Sequence, residues 1–120
     1  MSTTYKELIV YQKAYRASIE VHEASMSFPT FERSELGSQI RRASKSIPMN
    51  IAEGYGRNDS IEDFKRFLTM AMGSCEEVKV QLDYCRDLKY ISEEQYDGLL
   101  STYAEVSKML VSMKKNWSKI

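Results

Sequence analysis

One histidine, two cysteines and one short basic stretch are the parts of this sequence whose types could do chemistry. A zinc site needs three or four nitrogen, sulfur or carboxylate ligands converging on one point. Cys75 and Cys85 are ten positions apart. On a helix that spacing separates them by about 15 Å along the axis and about 80° in azimuth, too far to share an ion within one chain. Both fit an apolar stripe as small buried hydrophobes. A di-iron bundle needs inward glutamates and Glu-x-x-His pairs. The residue three before His22 is Ile19, and Glu20, Glu23, Glu76, Glu77 and Glu105 fall mostly off the apolar stripes. His22 has no motif around it that would supply a serine nucleophile and an orienting carboxylate. The glycine pair in EGYGR, residues 53–57, lacks the spacing, the lysine and the preceding strand of a phosphate loop. The expectation is therefore no catalytic residue, no metal ligand, no cofactor and no enzyme.

The basic stretch is more distinctive. Residues 38–58, SQIRRASKSIPMNIAEGYGRN, hold Arg41, Arg42, Lys45 and Arg57 against Glu53 alone. Arg41 and Lys45 are four apart and share a helix face, while Arg42 lies about 100° round from Arg41. Three uses compete for this group: a solvated face with ion pairs to neighbouring helices, phosphate binding, or a charged seam between subunits. Arginine's fixed fork suits phosphate oxygens, but Glu32, Glu35, Glu53, Glu76 and Glu77 are available to engage the same cations. Ser46, Asn50 and Glu53 sit near the end of the same segment, where they read as a structural polar network that sets register; a ligand site at the helix end is the alternative. Gly54 and Gly56 read as helix-end glycines, at least one with positive φ. Lys108, Lys114, Lys115 and Lys119 add a second cationic group near the C-terminus.

These residues need elements to hold them, and composition narrows the choice. The chain has 120 residues, 17 Lys plus Arg against 17 Asp plus Glu, 42% hydrophobic and 28% charged residues. This is a globular composition with enough length for a core, and zero formal net charge excludes a protein that coats nucleic acid by net charge alone. Two cysteines exclude a disulfide framework. No apolar run approaches the ~18 residues of a membrane span, and the N-terminus has charges inside its apolar stretch, unlike a signal peptide; a cytoplasmic protein is expected. Two prolines and five glycines are too few for the turns of a sandwich or barrel.

Periodicity supplies four helices in a single domain, residues 1–120. The first runs from about Tyr5 to about Met26 on a stripe of Leu8, Tyr11, Tyr15, Ile19 and His22, with Ala14 and Ser18 beside it. Pro29 breaks the next stretch, and Phe28 and Phe31 are expected in the core. The second helix begins near residues 31–34 and carries Leu36, Ile40, Ala43, Ile47 and Ile51, with a bend around Pro48. The third begins near Ser60, with Asp59 or Ser60 as N-cap. Its seam is Ile61, Phe64, Leu68, Ala71, Cys75, Val78, Leu82 and Cys85. Gly73 marks an expected close helix contact, and the helix should end between Asp87 and Tyr90. The fourth opens with a capping box, Ser92 to Gln95, and steps through Tyr96, Leu99, Tyr103, Val106, Leu110, Met113 and Trp117. Short loops between them imply an all-α, antiparallel up-down-up-down four-helix bundle.

The stretches KELIVYQKAY, QIRRASKSIPMNIAEGYGR and FKRFLTMAMGSCEEV together resemble the four-helix-bundle proteins once called S23 ribosomal proteins, encoded in intervening sequences of bacterial 23S rRNA genes. The specific part is the FP…E…L…QIRRA…SI…NIAEGYGR pattern from Phe28 to Arg57, followed by Ala71, Gly73, Ser74 and Glu77. Tyr11 stands where the family more often has tryptophan. The resemblance implies assembly as a ring, often a pentamer. A related branch, the accessory variability determinant proteins of diversity-generating retroelements, is similar in fold, forms a basic pentameric barrel and binds reverse transcriptase and RNA.

The resulting expectation is a non-enzymatic oligomeric binding or scaffold protein, with itself as first partner in a closed homo-oligomer, a pentamer on the resemblance. Tyr55, Phe67, Met70, Tyr84 and Leu100 lie beside or beyond the seams and are candidates to widen an apolar face for a neighbour. Structured RNA or an RNA-handling protein would meet the basic helix. The alternative is a purely structural homo-oligomeric assembly protein without nucleic-acid binding.

Overall fold

The computed structural model describes residues 4–57 and 60–117. Asp59, the alternative N-cap, and Lys119 lie outside them. Four long helices form an elongated bundle of 48 × 23 × 22 Å, with no strand among the described residues. They are α1 (Ile9–Ser25), α3 (Leu36–Gly56), α4 (Ile61–Asp87) and α5 (Glu93–Asn116), with a single-turn helix α2 (Thr30–Arg33) between the first two. Each long helix packs on the next, and α5 closes back on α1. This is the expected four-helix bundle.

The two longest seams form as the spacing predicts. On α4 Phe64, Leu68, Ala71, Cys75, Val78, Leu82 and Cys85 are buried, while Ile61 at the end is half-buried. Ser60 caps the helix, its hydroxyl accepting from the Asp63 N–H at 3.2 Å. On α5 Tyr96, Leu99, Tyr103, Val106 and Leu110 are buried, and the capping box closes from both sides at 3.0 Å between Ser92 and Gln95. Met113 and Trp117 are half-buried; the Trp117 ring packs 4.5 Å from that of Phe64. On α3 Ile40, Ala43, Ile47 and Ile51 reach the core, and the helix continues through the buried Pro48 to Gly56.

Helix α1 departs from expectation in both start and face. Residues 5–7 form a separate 3₁₀ turn capped by Thr4, and the α-helix begins at Ile9. Its core face is Val10, Ala14, Ala17 and Val21, with Ser18 and Ser25 also buried. The two serine hydroxyls donate to the carbonyls of Tyr15 and His22, at 2.6 and 2.8 Å, so their burial costs little. Tyr15 and Ile19, expected in the core, are exposed, and Tyr11 and His22 are half-buried. Small residues let α1 lie close to its neighbours, which leaves no room for the large ones on that face. Phe28 is buried against the Tyr90 ring at 5.1 Å, but Phe31 is 67% exposed, because α2 turns it away from the bundle.

Two glycine expectations also change. Gly73 is exposed, and a Cβ there would meet nothing within 4 Å. Neither Gly54 nor Gly56 has positive φ. Both lie inside α3, which ends on Arg57 at φ −107°. Gly54 is required for a different reason: a Cβ would sit 2.8 Å from the Phe67 Cβ and 3.2 Å from Phe64 Cδ1. Gly56 has open space around it. Among the described residues the left-handed one is Lys89, at φ 65°. It follows α4 in a Schellman turn, where Tyr90 N–H donates to the Cys85 carbonyl at 2.8 Å and Lys89 N–H to that of Arg86 at 3.0 Å.

Three substitutions check these positions. Lys89→Gly should raise stability by about 0.5–1 kcal/mol in urea unfolding, since glycine takes the left-handed conformation without a Cβ penalty. Gly54→Ala should lower it by about 1–3 kcal/mol through overpacking, while Gly56→Ala should leave it unchanged or raise it by up to about 1 kcal/mol.

Candidate functional site

The four basic residues of the second segment do not converge. Arg41 and Lys45 both turn toward α1. The Arg41 guanidinium donates to the Ser25 hydroxyl at 2.8 Å and to the Arg33 carbonyl at 2.9 Å, tying the end of α1 and the end of α2 to α3. Lys45 Nζ donates to His22 Nδ1 at 2.8 Å. An ammonium has no acceptor, so the imidazole must accept through that nitrogen. Arg57 lies about 24 Å beyond Arg41 along α3 at 1.5 Å per residue. There it pairs with Glu53 at 3.0 Å, approaches Asp63 at 3.8 Å and lies over the Phe67 ring at 5.4 Å. Arg42 is exposed and meets no carboxylate among the described residues, its guanidinium donating to the Ser38 hydroxyl at 3.0 Å.

The polar group at 46–53 divides. Ser46 and Ser74 bond hydroxyl to hydroxyl, joining α3 to α4, and the Asn50 amide donates to the Ser46 carbonyl at 2.8 Å. Glu53 takes no part; it is exposed and paired with Arg57. Cys75 and Cys85 are buried free thiols. Desolvation pushes them up to about 11 and about 12, respectively, which keeps them protonated and poorly nucleophilic at neutral pH. Among the described residues no three His, Cys, Asp or Glu side chains come together to hold a metal ion, and no helix is long and apolar enough to cross a membrane.

Two surface grooves flank α3 instead, and sequence reasoning did not assemble either. The first, between α1 and α3, has a volume of about 370 Å³. Tyr11 and Tyr15 stack along it with ring centres 5.9 Å apart, Tyr5 meets Tyr11 edge-on at 4.9 Å, and Ile19, Pro48 and Met49 complete an apolar wall beside Lys45. Its residues were visible as a periodic stripe, but a stripe looks the same whether it faces a core or a neighbour. The second groove, between the start of α3 and the second half of α4, has a volume of about 720 Å³. It combines Leu36, Val80, Tyr84 and Leu88 with Glu32, Glu35 and Glu77. Tyr90 braces it by donating to Glu32 at 2.8 Å, and that bond raises the tyrosine pKa. Of the residues expected to widen an apolar face, Tyr84 and Met70 are exposed. Phe67 is buried beneath Arg57 and Arg66, and Tyr55 and Leu100 pack partly on the core.

The split between Arg41 and Arg42 is testable. Arg41→Gln should cost about 1.5–3 kcal/mol in urea unfolding, the range for hydrogen bonds made by a charged group. Arg42→Gln should change stability by less than about 0.5 kcal/mol.

Comparison with known proteins follows the same architecture. A crystal structure of a protein of unknown function from the S23 ribosomal protein family, from Bacteroides thetaiotaomicron, superposes with a TM-score of 0.78 at 26% identity, covering 90% of this chain and 100% of that one. No curated protein matches the chain. The family model described as 23S rRNA-intervening sequence protein matches residues 6–112. With nearly the whole bundle inside that match, the chain belongs to the 23S rRNA-intervening sequence protein family.

Proposed function

We propose that this protein is a non-enzymatic, homo-oligomeric assembly protein whose working surface is formed by its own copies packed side by side. The observation that carries the reading is the outward apolar surface on both flanks of α3. Met49 is 66% exposed and Tyr84 58% exposed, and each lies among other apolar side chains in a groove. Scattered exposed hydrophobes are ordinary; clusters of this kind on a small domain are the usual mark of an interaction surface. The cations weigh in the same direction. Arg41, Lys45 and Arg57 are each engaged by groups within the chain, which leaves Arg42 as the one member of the basic stretch with only a serine for a partner among the described residues. That is a weak basis for a phosphate surface on one subunit.

An RNA-associated scaffold is the second reading. It is favoured by Arg42 together with Lys108 and Lys115, which are exposed on the surface, since a ring repeats each cation once per subunit and weak contacts on one polyanion add. Binding of that kind weakens steeply with salt and carries little base specificity.

Multi-angle light scattering of the purified chain at micromolar concentration should give a closed homo-oligomer, with a pentamer the expected mass. A monomer mass would refute the assembly reading. Retention of structured RNA by that oligomer in a gel shift at low salt, lost in Arg42→Gln, would favour the RNA-associated form. No retention would leave the purely structural one.

A further inference from the structure

The two grooves beside α3 differ in charge as well as in place. The tyrosine groove carries Lys45 at its wall, with Arg42 one turn back on α3, and neither meets a carboxylate among the described residues. The α3/α4 groove carries Glu32, Glu35 and Glu77, and none of these meets a cation among the described residues. Gln81 lies in the same groove, 7% exposed, with its side-chain carbonyl oxygen unpartnered. Each groove thus presents what the other lacks. One offers aromatic and thioether surface beside two cations that have no carboxylate partner among the described residues, Lys45 held by His22 and Arg42 by Ser38. The other offers aliphatic and tyrosine surface with carboxylates that meet no cation among those residues.

Two copies that paired like with like would face cation against cation, or three carboxylates against three, an arrangement that opposes association. We infer that the occupant of the α3/α4 acidic groove is the α1/α3 tyrosine-lined edge of a second copy of this chain, in a head-to-tail contact. This rests on the assembly reading above and specifies its interface. The positions of the grooves bear on the form of the assembly. They lie on adjacent sides of a four-sided bundle, so each subunit turns the next through roughly a right angle, a turn that closes after about four or five copies. They are centred about 17 Å apart along α3 at 1.5 Å per residue, so neighbouring subunits must lean against one another.

A charge-swap pair tests the contact. Met49→Glu places a carboxylate in the tyrosine groove, where it opposes the acidic groove of a neighbour. Tyr84→Arg places a cation in the acidic groove, where it opposes Lys45 and Arg42. Both residues face solvent in the single chain, and an unchanged helical circular dichroism signal verifies the fold. Each variant alone should associate at least tenfold more weakly than the unaltered chain in sedimentation velocity. The double variant Met49→Glu/Tyr84→Arg should re-associate, because every altered groove then meets its opposite in a ring of any number of copies. If either variant precipitates, Arg42→Glu and Glu35→Lys provide the same logic with milder changes. An unaltered chain that is itself monomeric removes the assembly reading. An unaltered oligomer whose single variants keep full mass, or whose double variant stays dissociated, removes this interface and leaves assembly standing. A chain that assembles only when polyuridylate is added, with Met49→Glu blocking the effect, would give the tyrosine groove to nucleic acid and overturn the inference.

Discussion

The close approach of α3 to α4 is the constraint on which the rest of the structure depends. At Gly54 the α3 backbone lies so near Phe64 and Phe67 that even a methyl group would collide. Eight residues earlier Ser46 meets Ser74 across the same seam, hydroxyl to hydroxyl. The Phe64 ring and the Phe67 Cβ thereby pack directly against helix backbone, and the Phe64 ring extends the contact to Tyr55 and Trp117. With α3 held against α4, the opposite flank of α3 receives α1, and α1 fits by presenting only small and medium residues, Val10, Ala14, Ala17, Ser18, Val21 and Ser25. The large residues of α1 are therefore turned outward, and the tyrosine groove is a consequence of core packing on the other side of the same helix.

That ordering also decides what the cations do. Arg41 and Lys45 sit on the flank that α1 approaches, so they meet Ser25, the Arg33 carbonyl and His22 before they could meet a polyanion. Arg57 comes after the Gly54 contact, where α4 begins, and is taken up by Glu53, Asp63 and the Phe67 face. A cluster dense in sequence becomes three separate structural contacts and one exposed arginine, Arg42, without a carboxylate partner among the described residues. The neutral chain is patchy because its unpaired charges of opposite sign are left on different sides of α3.

The seams of α4 and α5 were legible in the sequence because each buries one narrow face, and a strict three-four step allows no other arrangement. The cap residues Ser60 and Ser92 were legible because their chemistry is local. The face of α1 was not, since between Val10 and Val21 its core contacts are made by alanine and serine, which carry little hydrophobic signal. Its tyrosine stripe carries a strong one and faces outward. Gly54 announced that something special occurs there, but a left-handed turn and a close helix contact both call for glycine, and the distinction depends on where Phe64 and Phe67 lie in three dimensions. Lys89 gave no sign, because the left-handed position after α4 is held by a residue type that does not prefer it. The two grooves depend on side chains from different helices and appear only when the helices are placed.

The central claim is that the outward apolar surfaces on the two flanks of α3 are covered by neighbouring copies. Hydroxyl-radical footprinting read by mass spectrometry, on the unaltered protein across a dilution series, measures this directly. The account predicts that Tyr15 and Met49 in one groove and Tyr84 and Leu88 in the other are protected together at high concentration and become labelled together on dilution, while Val111, comparably exposed on α5, is labelled throughout. Equal labelling of all five residues at every concentration would contradict it.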